Sequence, residues 1–147
     1  MPKYTTNEFT FDLPDNLRDR SLNIFALTDE GPSDVSIVIS RSPVAPEATL
    51  SEQMAALTSE LAKQLSNFRL IDQTERVVAG TPAGEICYSH QQNGVSLVQR
   101  QVGMLLSNKE SKGKMWVAIT ATLGPKASSS WQQSFEAMLA SLTLTKR

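Results

Sequence analysis

A chain of 147 residues with 40% hydrophobic residues, 20% charged residues and a net charge of -1 has the balance of one ordinary globular domain, spanning 1–147. Its scattered Lys and Arg argue against nucleic acid, no run approaches the ~20 apolar residues of a membrane span, and the single Cys87 cannot close an internal disulfide. The start, "MPKYTTNEFTFDLPD", shows neither the apolar stretch of a secretory signal nor a lipoprotein box, so a cytoplasmic protein without direct membrane insertion is expected.

Strand-like segments come first: "YTTNEFTF" (4–11) and "SLNIFALT" (21–28), each followed by a turn, and then "DVSIVISR" (34–41). The loop "SPVAPEA" carries two prolines and is read as irregular. Thr49 with Glu52 three residues on forms a capping box, and Leu50, Met54, Leu57, Leu61 and Leu65 then recur at helical spacing, with Asn67 as a left-handed stop. Strands are expected at 68–78, 85–92, 95–106 and 115–123, the last after the charged loop "SNKESKGK". A final helix over 128–142 carries Trp131, Phe135, Met138, Leu139 and Leu142 on one stripe, which reads as cover for one sheet face. The class is α+β: a mainly antiparallel, twisted sheet with two principal helices packed on it.

Alternate residues of a strand point to opposite faces. In "DVSIVISR" one face is Val35, Ile37 and Ile39; the other is Ser36, Val38 and Ser40, semi-polar but uncharged. Asn93-Gly94 predicts a two-residue hairpin that pairs Cys87 with Arg100, Ile86 with Gln101, Tyr88 with Gln99 and His90 with Leu97. One face of that hairpin continues into Val102, Met104 and Leu106, interrupted by Arg100, for which Glu85 is the expected ion-pair partner. The other face, with Gln99, Gln101 and Gly103 beside Ile86 and Tyr88, repeats the Ser36–Val38–Ser40 mixture. In "SLNIFALT", Leu22, Ile24 and Ala26 lie on one side and Phe25 and Leu27 on the other, so cover is expected on both.

The catalytic inventory is poor. His90 is the only histidine, read as a solvated residue near a hairpin tip, and Cys87 projects to the opposite face, which disfavours a Cys-His pair. No zinc spacing, phosphate loop or calcium loop is present, so a protein without catalysis or cofactor is expected.

"LPDNLRDRSLNIF", "SIVISR", a helix ending "KQLSNF", and "LVQRQVG" together resemble the effector-associated (Eag) chaperones of type VI secretion, within a wider DcrB-like group of Mog1/PsbP-like fold. The resemblance runs from about Tyr4 to Leu144. It implies a homodimeric cytoplasmic holdase that shields N-terminal transmembrane helices of a PAAR- or Rhs-type effector. The family's groove residues match Leu22, Ile24, Ser36, Val38, Ser40, Leu57, Leu61, Leu65, Gln101 and Gly103. Two positions depart from the family's pattern, which often has glutamine where Leu57 stands and a bulky apolar residue where Gly103 stands. The alternatives are a DcrB-like envelope-associated protein, which expects a lipobox, and a small regulator or hydrolase on the same fold.

Overall fold

The computed structural model describes residues 3–107 and 113–145. Its elements are β1 (Lys3–Thr5), β2 (Thr10–Asp12), β3 (Asn23–Ala26), β4 (Val35–Val44), α1 (Leu50–Gln64), β5 (Ser66–Val78), β6 (Thr81–Gln92), β7 (Val95–Ser107), β8 (Lys114–Leu123) and α2 (Ser130–Ser141). β3 to β8 form one antiparallel sheet in the order β3-β4-β8-β7-β6-β5. The α+β class and its antiparallel sheet with two helices are therefore as read from the sequence.

Local chemistry sets most boundaries. Thr49 caps α1, accepting from the Glu52 N–H at 3.2 Å while its hydroxyl donates to the Glu52 carboxylate at 2.9 Å. Asn93 and Gly94 both take positive φ, and the β6–β7 register is the predicted one, residue for residue.

Three local readings need correction. Residues 4–11 are not one strand, because the chain reverses through a Thr6–Phe9 turn and pairs β1 with β2. Pro43 lies inside β4: β3 stops pairing at Ile39, so beyond it β4 has a free edge where a missing N–H is tolerated. α1 stops at Gln64 with Leu65 extended, and the left-handed Asn67 instead serves an irregularity in β5 between Ser66 and Arg69. The middle of the charged loop, 108–112, lies outside the described residues.

One face of the sheet is sealed by α2. Val102, Met104, Ile119 and Ala121 pack with Phe135 and Leu139, flanked by Ile37, Ile39 and Leu106. Arg100, the interruption in this face, is held by Glu85 at 2.8 Å, as expected, and Arg76 and Glu136 extend that pair into a network tying α2 to β5, β6 and β7. The Arg100 guanidinium also lies 4.9 Å from the centre of the Phe135 ring. Hydrogen bonds first from Arg76 and then from Arg100 hold the Glu136 carboxyl down at about 2.

α1 lies on the opposite face, but only over its β5–β6–β7 side. Met54, Ile86 and Tyr88 form a second core there, with Leu50, Leu57, Leu61, Leu65, Phe68 and Trp116 against it. Among the described residues neither core cluster includes a residue of β3, and the cover expected on both its faces is missing: Leu22, Ile24, Phe25 and Leu27 are all more than half exposed.

Candidate functional site

The antiparallel registers line side chains up in rows across the α1 face. One row runs Ile24, Val38, Thr120, Gln101, Ile86. The next runs Ala26, Ser36, Thr122, Gln99, Tyr88. The third runs Ser40, Ala118, Gly103, Gly84. No charged side chain occurs in these rows from β3 to β6. From β3 to β7 the floor is about 14 Å wide at ~4.8 Å per strand, comparable to the diameter of a helix.

Ser36, Val38, Ser40, Thr120, Thr122 and Gln101 are half-buried, and α1, with Ala48 just before it, is what packs on this face. The hydroxyls of Ser36, Ser40 and Thr120 make no hydrogen bond among the described residues. We call the stretch of this face between α1 and the edge strand β3 the trough.

Of the residues expected to line a groove, Ile24, Ser36, Val38, Ser40 and Gln101 share this floor, and Leu22 immediately precedes β3. Leu57, Leu61 and Leu65 pack on the Ile86–Tyr88 core and are only partly buried there, so each is part of the core and keeps some exposed surface.

Gly103 differs from expectation. A Cβ there would stand 2.2 Å from the Trp116 indole, and one on its cross-strand neighbour Gly84 would stand 2.6 Å from Met54. The two glycines make a hollow in the sheet that the chain fills itself. Trp116, not a client's backbone, occupies the space above Gly103.

β8 supplies trough residues that sequence reasoning missed: Trp116, Ala118, Thr120 and Thr122. The signal was available. Within "MWVAITATL" these four alternate with Val117, Ile119, Ala121 and Leu123: a tryptophan followed by small and hydroxylated residues on one side, aliphatic residues on the other.

His90 also departs from its reading as a solvated tip residue. It is 6% exposed, with Nε2 3.0 Å from the Gln99 Oε1 and Nδ1 without a partner. The Gln99 amide nitrogen donates to the Thr122 hydroxyl at 2.8 Å, and the Tyr88 hydroxyl donates to the Gln101 Oε1 at 3.2 Å. Burial pushes the Tyr88 phenol up to about 12, so it stays a donor. Cys87 faces the α2 side beside Arg100, away from His90, and burial raises its thiol as well.

Among the described residues no helix is long and apolar enough to cross a membrane. The family model described as DcrB matches residues 8–141. A protein of Pseudomonas aeruginosa strain PAO1, Effector EagT6, is 33% identical over 103 residues, 69% of this chain and 72% of its own. PA94 of Pseudomonas aeruginosa, a solved structure of unknown function, superposes with a TM-score of 0.76 at 25% identity, covering 100% of this chain and 99% of that one. LpqN of Mycobacterium tuberculosis, involved in cell envelope biogenesis, superposes at 0.60 with 15% identity over 89% and 88%, a likeness of fold alone.

Proposed function

The chain belongs to the DcrB family, and on that premise, with its likeness to EagT6, we propose that it is a chaperone for an effector of type VI secretion. Its work would be binding without catalysis: it holds transmembrane helices of the effector, of the PAAR or Rhs type, in the trough, in the cytoplasm, until they are handed on.

The observation that carries this reading is three adjacent rows of the sheet without a charged side chain from β3 to β6, half-polar and left open beside a leucine-lined helix; Lys114, on the same face of β8, lies beyond them and donates its amine to the Ala48 carbonyl. A membrane helix needs apolar contact along most of its surface, and Ile24, Val38, Leu57, Leu61 and Leu65 supply it. It also carries small and hydroxylated residues at its own packing interfaces. Ser36, Ser40, Thr120 and Gln101 match those groups as a neighbouring membrane helix would. A charged floor would be incompatible with both. Covering ~1,000 Å² of apolar surface is worth about 25 kcal/mol gross, of which association and ordering leave only a fraction as affinity.

A homodimer belongs to the same reading. One trough is about half as wide as the ~30 Å length of a spanning helix. β3 has a free edge, no charged residue and apolar side chains exposed on both faces. A second copy paired antiparallel on β3 would put the two troughs side by side as a floor about 34 Å across, at ~4.8 Å per strand. Phe25 and Leu27, on the other face, would be covered at that seam. Phe25→Asp is then expected to give monomers by sedimentation.

The test of the trough is a chain carrying Ser36→Asp, Val38→Asp and Ser40→Asp, co-expressed with a two-helix transmembrane segment of its effector. The segment is expected to leave the soluble fraction while the variant stays folded. A folded variant that still keeps the segment soluble ends the proposal.

A further inference from the structure

Each glutamine on the trough floor has one acceptor and one donor end, and which end faces out is decided by what holds the other. Gln101 accepts from the Tyr88 hydroxyl, so its amide N–H groups remain for the open side. Gln99 accepts from His90 at Oε1 and donates from its nitrogen to Thr122, whose own O–H has no acceptor among the described residues.

The direction of that relay is set by His90. If the Gln99 amide were reversed, His90 Nε2 would have to accept and the ring proton would move to Nδ1. Nδ1 is buried and has no partner, so the reversed relay would bury an orphan N–H. The observed direction buries only an unpaired lone pair there, and buried orphan N–H groups are the rarer and costlier of the two. Tyr88 acts likewise on Gln101: its hydroxyl has no other acceptor among the described residues. The hydroxyls of Ser36, Ser40 and Thr120 can rotate to either role, so they do not offset this bias.

We propose that the trough is polarised toward hydrogen-bond donation, through the Gln101 amide and the Thr122 hydroxyl, with Tyr88 and His90 as positioning residues, and that it therefore selects apolar helices bearing an unpaired backbone carbonyl. A proline inside a helix creates such an acceptor by removing the N–H that its carbonyl four residues back would use. In a bilayer that carbonyl must find a donor on a neighbour; here the trough provides it. The inference rests on the client-holding reading above and names the chemistry of the segment held.

The probe is a pair of ~20-residue Leu/Ala helical peptides with lysine ends, identical except for a central Pro or Ala, titrated against the wild-type protein. The Pro peptide is expected to bind about three- to tenfold more tightly, the worth of one added hydrogen bond. Equal binding of the two overturns the inference and leaves the client-holding reading intact; if neither binds, both fall together. Gln101→Met with Thr122→Val is expected to bring the ratio of the two affinities to about one, whatever it does to binding of either peptide, whereas a preference that survives means that helix shape, not donation, is being read. His90→Phe keeps a buried ring without a donor and is expected to lower the preference alone. Nitrogen NMR of the wild-type imidazole is expected to show the Nε2–H tautomer; the Nδ1–H tautomer overturns the assignment whatever the peptides do.

Discussion

The two faces of one sheet solve opposite problems. Beneath α2, the rows from β4 to β7 are mostly aliphatic, and their two charged members are each paired, Arg100 with Glu85 and Glu136 and Arg41 with Asp19. Beneath α1, the same strands carry Ser, Thr, Gln and Gly, and the helix covers only one side of them. Neighbours such as Ile39 and Ser40, or Val102 and Gln101, belong to different environments because a strand reverses direction at every residue. A face packed by the chain itself needs shape and volume. A face kept for another molecule, as we propose for this one, needs to stay open without charge and without collapsing.

The sharpest way to break the contrast is to put the same carboxylate on both sides. Val102→Asp places a charge at a fully buried position under α2 and is expected to cost more than about 4 kcal/mol, enough to prevent folding. Ser40→Asp, on the open face, is expected to change stability by no more than about 0.5 kcal/mol. Urea unfolding followed by circular dichroism separates the two outcomes, and equal losses would mean that the trough is core.

Glu85→Gln tests the charge network. The Glu85 and Arg100 side chains are only 11% and 12% exposed, so removing the carboxylate leaves a buried guanidinium short of a partner. A loss of about 3 kcal/mol is expected, measured by the same unfolding curves. Gly103→Ala comes next: its methyl meets the Trp116 ring, and about 1–3 kcal/mol of overpacking follows. Trp116→Leu in the same chain is expected to restore much of it, a coupling that a double-mutant cycle reads directly.

The smallest effect is the pH dependence of Glu136. Its carboxyl titrates at about 2 in the folded protein, below its ordinary value of 4.5, because Arg76 and then Arg100 hydrogen-bond the ionised form. Its contribution is therefore complete above the ordinary glutamate range and is lost as pH falls through about 2. The side chain is 46% exposed, and solvent screening keeps the effect below about 1 kcal/mol. Glu136→Gln is expected to lose less stability than wild type between about pH 5 and pH 2, by thermal melts.

What the sequence determined by itself was local. The alternation in "DVSIVISR" separated the two faces, Asn93-Gly94 set the pairing of Cys87 with Arg100 and Ile86 with Gln101, and Thr49 with Glu52 started α1. Most of the candidate floor was legible because a period of two is a property of a few consecutive residues. Tertiary structure decided what required distant strands to meet. Arg76 and Glu136 join Glu85 and Arg100 only after α2 folds back over the sheet. Trp116 claims Gly103, and His90 reaches Thr122 through Gln99, because β8 is threaded between β4 and β7. β3, apolar on both sides, stays outside both core clusters. Periodicity tells which way a side chain points; it carries no record of which strand will lie beside it or how far a helix will reach.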